Sequence, residues 1–143
     1  MEKFDHRYIE MAEIWAKNSY CKRRQVGALI VKDKMIISDG YNGTPSGFEN
    51  ICEDENGVTK PYVLHAEANA IYWCAKTEII TEGATAYVTL SPCRHCALGL
   101  IQSGIKRVVY GELYWNAEKT GLDLLKNAGI EVVRLERTDG GES

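Results

Sequence analysis

Apolar residues recur at spacings of three and four through Phe4, Tyr8, Met11, Ile14 and Trp15. That is the stripe of an amphipathic helix, so residues 3–17 are expected to lay one face on a sheet. Residues 26–31 and 34–38 are short apolar runs on either side of Asp33 and read as two strands joined by a tight turn. Gly40, Gly43, Pro45 and Gly47 then break regular structure, and a polar stretch with Glu53, Asp54, Glu55 and Asn56 continues to Pro61. Beyond it the pattern predicts an Ala-rich helix over 65–76, an alternating strand over 84–90 and a helix over 93–103 capped by Gly104. A strand over 105–110, a helix over 120–127 ended near Gly129 and a last strand over 130–135 follow, with a loose tail over 138–143. Strand, helix, strand, helix, strand implies right-handed crossovers and parallel pairing behind an antiparallel hairpin. The expected fold class is α/β: a three-layer α/β/α arrangement with a mixed five-stranded sheet and helices on both faces. A chain of 143 residues is expected to form a single domain, 1–143.

Composition narrows the partners. A net charge of −3 without a long basic stripe argues against a polynucleotide and for a small nucleotide. The one basic cluster, Lys22-Arg23-Arg24, is enough for a phosphate group or two, although it also suits a solvated helix end. No long apolar run predicts a membrane span or an export signal, so a cytoplasmic protein is expected. Five cysteines suggest no secreted disulfide framework, and Cys21 and Cys52 are expected to be reduced and partly buried, with Cys74 in the core.

The chemistry sits in two motifs, His65-Ala66-Glu67 and Pro92-Cys93-Arg94-His95-Cys96. His65, Cys93 and Cys96 supply three zinc ligands and leave a fourth position for water, the pattern of a catalytic Zn2+ ion. Cys93 and Cys96 fall on one face of a first helical turn, beside N–H groups that favour thiolates. Glu67 is then the general acid and base: zinc acidifies a water, Glu67 takes its proton, the oxygen attacks C4 of a cytosine ring, and ammonia leaves. A closed structural site completed by His95 is the competing reading, and it has no need of Glu67.

With these motifs, CKRRQVGALIV at 21–31, GYNGTPSG at 40–47, HAEANAI at 65–71 and YVTLSPCRHCALGLIQSGIKRVVY at 87–110, the chain resembles the deoxycytidylate (dCMP) deaminase family of the cytidine deaminase fold. The resemblance implies conversion of dCMP to dUMP and ammonia, with Asn42 bonded to the deoxyribose and Arg23 and Tyr114 facing the 5′-phosphate. Taken alone, Arg23 also fits a helix-end charge, Tyr114 a rim aromatic and Asn42 a turn residue. It further implies a homohexamer activated by dCTP and inhibited by dTTP, with Mg2+ accompanying the triphosphate near Tyr41, Asn42 and Gly43. Successive N–H groups of that Gly-rich loop can form an anion-binding concavity, and Thr44 to Ser46 suit a plain surface turn equally well.

The segment between Glu53 and Leu64 lacks the His and Cys residues that complete a second, structural zinc in some relatives. That shorter segment leaves dCTP open as a second substrate. A tRNA adenosine deaminase or free-base deaminase shares the two metal motifs but not the 40–47 loop, and a catalytically silent zinc-containing nucleotide-binding regulator has no use for Glu67.

Overall fold

The computed structural model describes residues 2–135; the tail expected to be loose, 138–143, lies outside the described residues. Helix α1 spans Asp5–Ala16, strands β1 and β2 span Gly27–Lys32 and Met35–Tyr41, and α2 spans Ala66–Lys76. Then come β3 (Thr85–Leu90), α3 (Arg94–Gln102), β4 (Arg107–Glu112), a 3-10 turn at Ala117–Lys119, α4 (Leu122–Asn127) and β5 (Glu131–Arg134). The sheet order is β2-β1-β3-β4-β5, with β1 antiparallel to β2 and β3 and the β3, β4, β5 pairs parallel.

Side-chain alternation divides the core into two layers. Ile30, Ala86 and Val108 pack with Ala70, Ala97, Leu100 and Leu125 from α2, α3 and α4. Leu29, Val31, Tyr87 and Val109 point the other way and pack with Ile9 and Ala12 of α1. The three-layer arrangement is therefore the one the pattern predicts, with α1 alone among the described helices on its face.

The face that α1 buries differs from expectation. Asp5, Ile9, Ala12 and Ala16 turn inward, whereas Met11, Ile14 and Trp15 are exposed by 44%, 62% and 39%. Close approach explains this: a Cβ on Gly27 would run into the Ala12 carbonyl, so only small residues fit where the helix crosses β1.

The hairpin turns through Asp33 and Lys34 at φ of 51° and 66°, the paired left-handed geometry of a two-residue turn. Strand β2 runs on to Tyr41 and takes in Gly40, which the sequence pattern leaves to the loop. Gly40 lies directly under α2, where a Cβ would meet the Ala66 carbonyl and come within 2.9 Å of the Ala70 nitrogen.

One expectation is overturned: Cys21 and Cys52 are joined in a disulfide, with Cα atoms 5.1 Å apart. The segment after β2 folds back on itself through pairings of Gly43 with Leu64 and Glu53 with Thr59, which carries Cys52 against the residues entering β1. Cys74 is buried in the core as expected. Among the described residues no helix is long and apolar enough to cross a membrane.

Candidate active site

Parallel strands leave their C-terminal ends open, and the first crossover begins there. Strand β3 stops at Leu90, Ser91 and Pro92 follow, and Cys93 adopts an extended conformation as the N-cap of α3, with its sulfur accepting the Cys96 N–H at 3.4 Å. His65 is the extended N-cap of α2 and turns its Nδ1 to 3.2 Å from Cys96 Sγ and 3.5 Å from Cys93 Sγ. All three donor atoms lie within 4.8 Å of one another. A tetrahedral zinc holds such donors about 3.5 to 4 Å apart, so the cluster needs only a slight opening to fit one. Two sulfurs and an imidazole are also the donor set zinc prefers. His95 is exposed and outside the cluster, which argues against a site closed by it.

Hydrogen bonding from Cys96 holds the Cys93 thiol far below the ordinary thiol range, while the same bond and burial push Cys96 up. The pair thus shares one proton, which a metal ion would displace. The hydrogen bond with Cys93 raises His65 against the opposing effect of burial.

Glu67 stands in the first turn of α2, two residues beyond His65, and is only 4% exposed. Burial pushes its carboxyl up to about 7, although its own backbone N–H and His65 favour the charged form. A carboxyl poised there can both take and return a proton near neutral pH.

These groups open into a cavity of about 350 Å³. His65, Glu67 and Cys93 line it together with Arg23, Asn42 and Tyr114, so residues from both motifs and from the narrower family segments share one space. Tyr114 is half-buried and lies 5.4 Å from the Trp115 ring, with its N–H donated to Ser91 Oγ at 2.9 Å. The Asn42 side chain is partly committed: Oδ1 accepts the Val26 N–H at 2.9 Å and Nδ2 donates to the Arg24 carbonyl at 2.7 Å. One N–H and one lone pair of that amide stay available.

The expected concavity of N–H groups at 41–43 does not form. The Asn42 N–H goes to the Val26 carbonyl at 3.2 Å, and Gly43 exchanges both its backbone groups with Leu64 at 3.0 and 2.8 Å. The loop closes on its neighbours because β2 runs on to Tyr41.

Arg24 of the basic cluster also lines the cavity, together with Glu53, Trp115 and Lys119, which the sequence pattern does not single out as site residues. Arg24 pairs with Glu112 at 2.8 Å. Its place beside Arg23 in the basic cluster was the available signal; Lys119 and Trp115 lie in a stretch with no regular period. Arg23, Arg24 and Lys119 give the cavity three cationic side chains against Glu53 and Glu67.

A sequence profile of the cytidine and deoxycytidylate deaminase zinc-binding region matches residues 2–112. The deoxycytidylate deaminase of Enterobacteria phage T4 is 36% identical over 90% of this chain and 88% of the phage protein. ComE operon protein 2 of Bacillus subtilis is 38% identical over 90% of this chain and 69% of its own length. Among solved structures, the dCMP deaminase of cyanophage S-TIM5 in complex with dCMP and dUMP superposes with a TM-score of 0.89 at 41% identity, covering 94% of this chain and 99% of that one.

Proposed function

We propose that this chain, which belongs to the cytidine and deoxycytidylate deaminase zinc-binding family, hydrolyses dCMP to dUMP and ammonia. The observation that carries the proposal is the convergence of His65, Cys93, buried Glu67 and the cationic Arg23 on one nucleotide-sized cavity.

His65 Nδ1 and the sulfurs of Cys93 and Cys96 would hold a single catalytic Zn2+, which would supply Lewis-acid activation of water. Glu67 takes the proton that water must lose as its oxygen adds to C4 of the cytosine ring, and delivers protons to N3 and to the departing amine. Its burial suits both tasks, because desolvation raises the carboxyl and makes it a better proton acceptor than an exposed one. Val26, Val63 and Leu90 give apolar walls for the base. Arg23 offers the phosphate a fixed fork of donors, Tyr114 adds a hydroxyl and a ring face, and the free N–H of Asn42 reaches for the deoxyribose.

By family resemblance the proposal extends to dCTP as activator, dTTP as inhibitor, Mg2+ with the triphosphate, and a homohexamer; chain length and composition extend it to a single cytoplasmic domain. With the N–H groups of Asn42 and Gly43 spent, an effector near Tyr41, Asn42 and Gly43 would be met by the side chains of Tyr41 and Asn42.

Ammonia release by the zinc-loaded protein tests the reading, with dCMP, dCTP, cytidine and a tRNA anticodon loop offered separately, and dTTP with Mg2+ as a further arm. Turnover of dCMP supports it, and equal turnover of dCTP widens the substrate. Turnover of the RNA alone, or nucleotide binding without any turnover, overturns it.

A further inference from the structure

We propose that Glu53, braced by the Cys21–Cys52 disulfide, is a positioning residue that sets Arg23 for the substrate phosphate; this rests on the nucleotide reading of the cavity above. One Glu53 carboxylate oxygen accepts two consecutive backbone N–H groups, Lys22 at 3.0 Å and Arg23 at 3.1 Å. The acceptor is thus aimed at the main chain of the basic segment, not at its side chains. An anionic acceptor shared by two N–H donors holds a backbone more firmly than a neutral one does.

The same two segments are joined covalently one residue away on each strand. Cys21 precedes Lys22, Cys52 precedes Glu53, and a Glu53 carboxylate oxygen lies within 4.8 Å of both sulfurs. Cys52 is 1% exposed and Cys21 5%, so the crosslink is packed in place and does not dangle at the surface. Behind Glu53 a small hairpin gives it a fixed base: Glu53 bridges to Thr59, the Cys52 carbonyl accepts the Lys60 N–H at 2.7 Å, and the Asp54 side chain closes the turn on the N–H groups of Asn56 and Val58. Ser19 anchors the other side through its hydroxyl, which donates to the Asn42 carbonyl at 2.8 Å and accepts the Cys21 N–H at 3.1 Å.

Arg23 has an exposed side chain with several rotatable bonds, so the accuracy with which it meets a phosphate depends on a fixed backbone beneath it. Glu53 lines the same cavity, and a carboxylate left free there would repel the phosphate. Binding two N–H groups spends that charge inward and turns an unfavourable residue into a support.

The test separates phosphate from sugar and base. Affinities of dUMP and deoxyuridine, which differ only in the phosphate, are measured by calorimetry on the zinc-loaded protein and on Glu53→Ala and Glu53→Gln, beside kcat and KM for dCMP. Loss of hydrogen bonds to a charged acceptor predicts that Glu53→Ala weakens dUMP binding and raises KM by about tenfold. It leaves deoxyuridine affinity and kcat within about twofold, since uniform binding is what is lost. Glu53→Gln keeps an acceptor oxygen and recovers most of the effect.

Equal weakening of both ligands, or unchanged dUMP affinity, overturns the positioning role. The crosslink is tested by counting thiols in the unfolded, zinc-stripped protein: three support it, whereas five, or a second equivalent of zinc in the folded protein, overturn it. A wild-type protein that binds dUMP but does not deaminate dCMP refutes the proposed reaction and still leaves the dUMP-to-deoxyuridine comparison decisive here.

Discussion

Arg107, the first residue of β4, grips Asp5, the first residue of α1, through two hydrogen bonds of 2.8 and 2.6 Å. Neither side chain reaches solvent to any extent, with exposures of 2% and 0%, and Tyr87 of β3 adds a third bond to the same carboxylate at 2.7 Å. The network ties helix to sheet at the N-terminal ends of the parallel strands, while the metal cluster begins beyond their C-terminal ends. Stability and chemistry are thereby separated in space.

Burial alone would raise the Asp5 carboxyl, but the bonds from Arg107 and Tyr87 outweigh it and bring it from 3.8 down to about 2. A depressed carboxyl contributes stability above its unfolded value, near pH 4, and loses that contribution as pH falls through about 2. The shift corresponds to about 2 kcal/mol at neutral pH. Asp5→Asn removes the one buried counter-charge of Arg107, leaving it only the exposed carboxylates of Glu131 at 3.3 Å and Glu2 at 3.7 Å, and is expected to cost about 3 kcal/mol. Urea denaturation of both proteins at pH 7 and at pH 3 checks this: the gap between them should narrow at the lower pH, and kcat at pH 7 should not change.

Glu67→Gln keeps the shape of the side chain and removes its capacity to accept a proton. We expect zinc content near one equivalent per chain and a fall in kcat of about a thousandfold. Metal analysis beside ammonia release on the same preparation checks both halves; retained activity would exclude Glu67 as the proton carrier.

The metal half of the site was legible because each motif is contiguous and sits at a helix start, so local geometry turns His65, Glu67, Cys93 and Cys96 toward one point. The sheet was legible from periodicity for the same local reason. The buried face of α1 was not, since Ala12 and Ala16 carry little hydrophobic weight and matter only because Gly27 lets the helix come close. Nor was the Cys21–Cys52 pairing, which reaches across the whole β1–β2 hairpin at a sequence separation of 31 and depends on how the 42–64 segment folds back. Glu53 reads in sequence as one acid among several; only its two N–H donors mark it out.

Arg23 and Arg24 are neighbours with different surroundings. Arg24 is paired with Glu112 at 2.8 Å, whereas the Arg23 backbone is held by Glu53 and its side chain stays exposed at the cavity. Arg23→Ala is therefore expected to raise KM for dCMP by about tenfold to a hundredfold with little change in kcat, the mark of lost ground-state and transition-state binding together. Arg24→Ala should act more weakly on KM. Steady-state kinetics of the two variants decide between them.

Gly121 and Gly99 offer the sharpest contrast for the metal cluster. Gly121 precedes α4, and its N–H donates to the Pro92 carbonyl at 2.8 Å. A Cβ there would come within 2.8 Å of the Cys93 carbonyl oxygen and 3.1 Å of the Arg94 Cα, and would collide with the Ala97 side chain. These neighbours are the N-cap and first turn of α3, the element that aims both sulfurs, and they are mostly backbone that cannot swing aside. Gly121→Ala must push that turn away and is expected to cost about 2 kcal/mol as overpacking. It should also weaken zinc binding, because Cys93 moves with the turn. Gly99, in the middle of the same helix, has open space around its would-be Cβ. Gly99→Ala should accordingly raise stability by about 1 kcal/mol through helix propensity and leave the zinc affinity alone. Thermal denaturation and competition with a chelator on the two variants measure both effects; equal zinc affinity in the pair would mean that Gly121 does not govern the placement of Cys93.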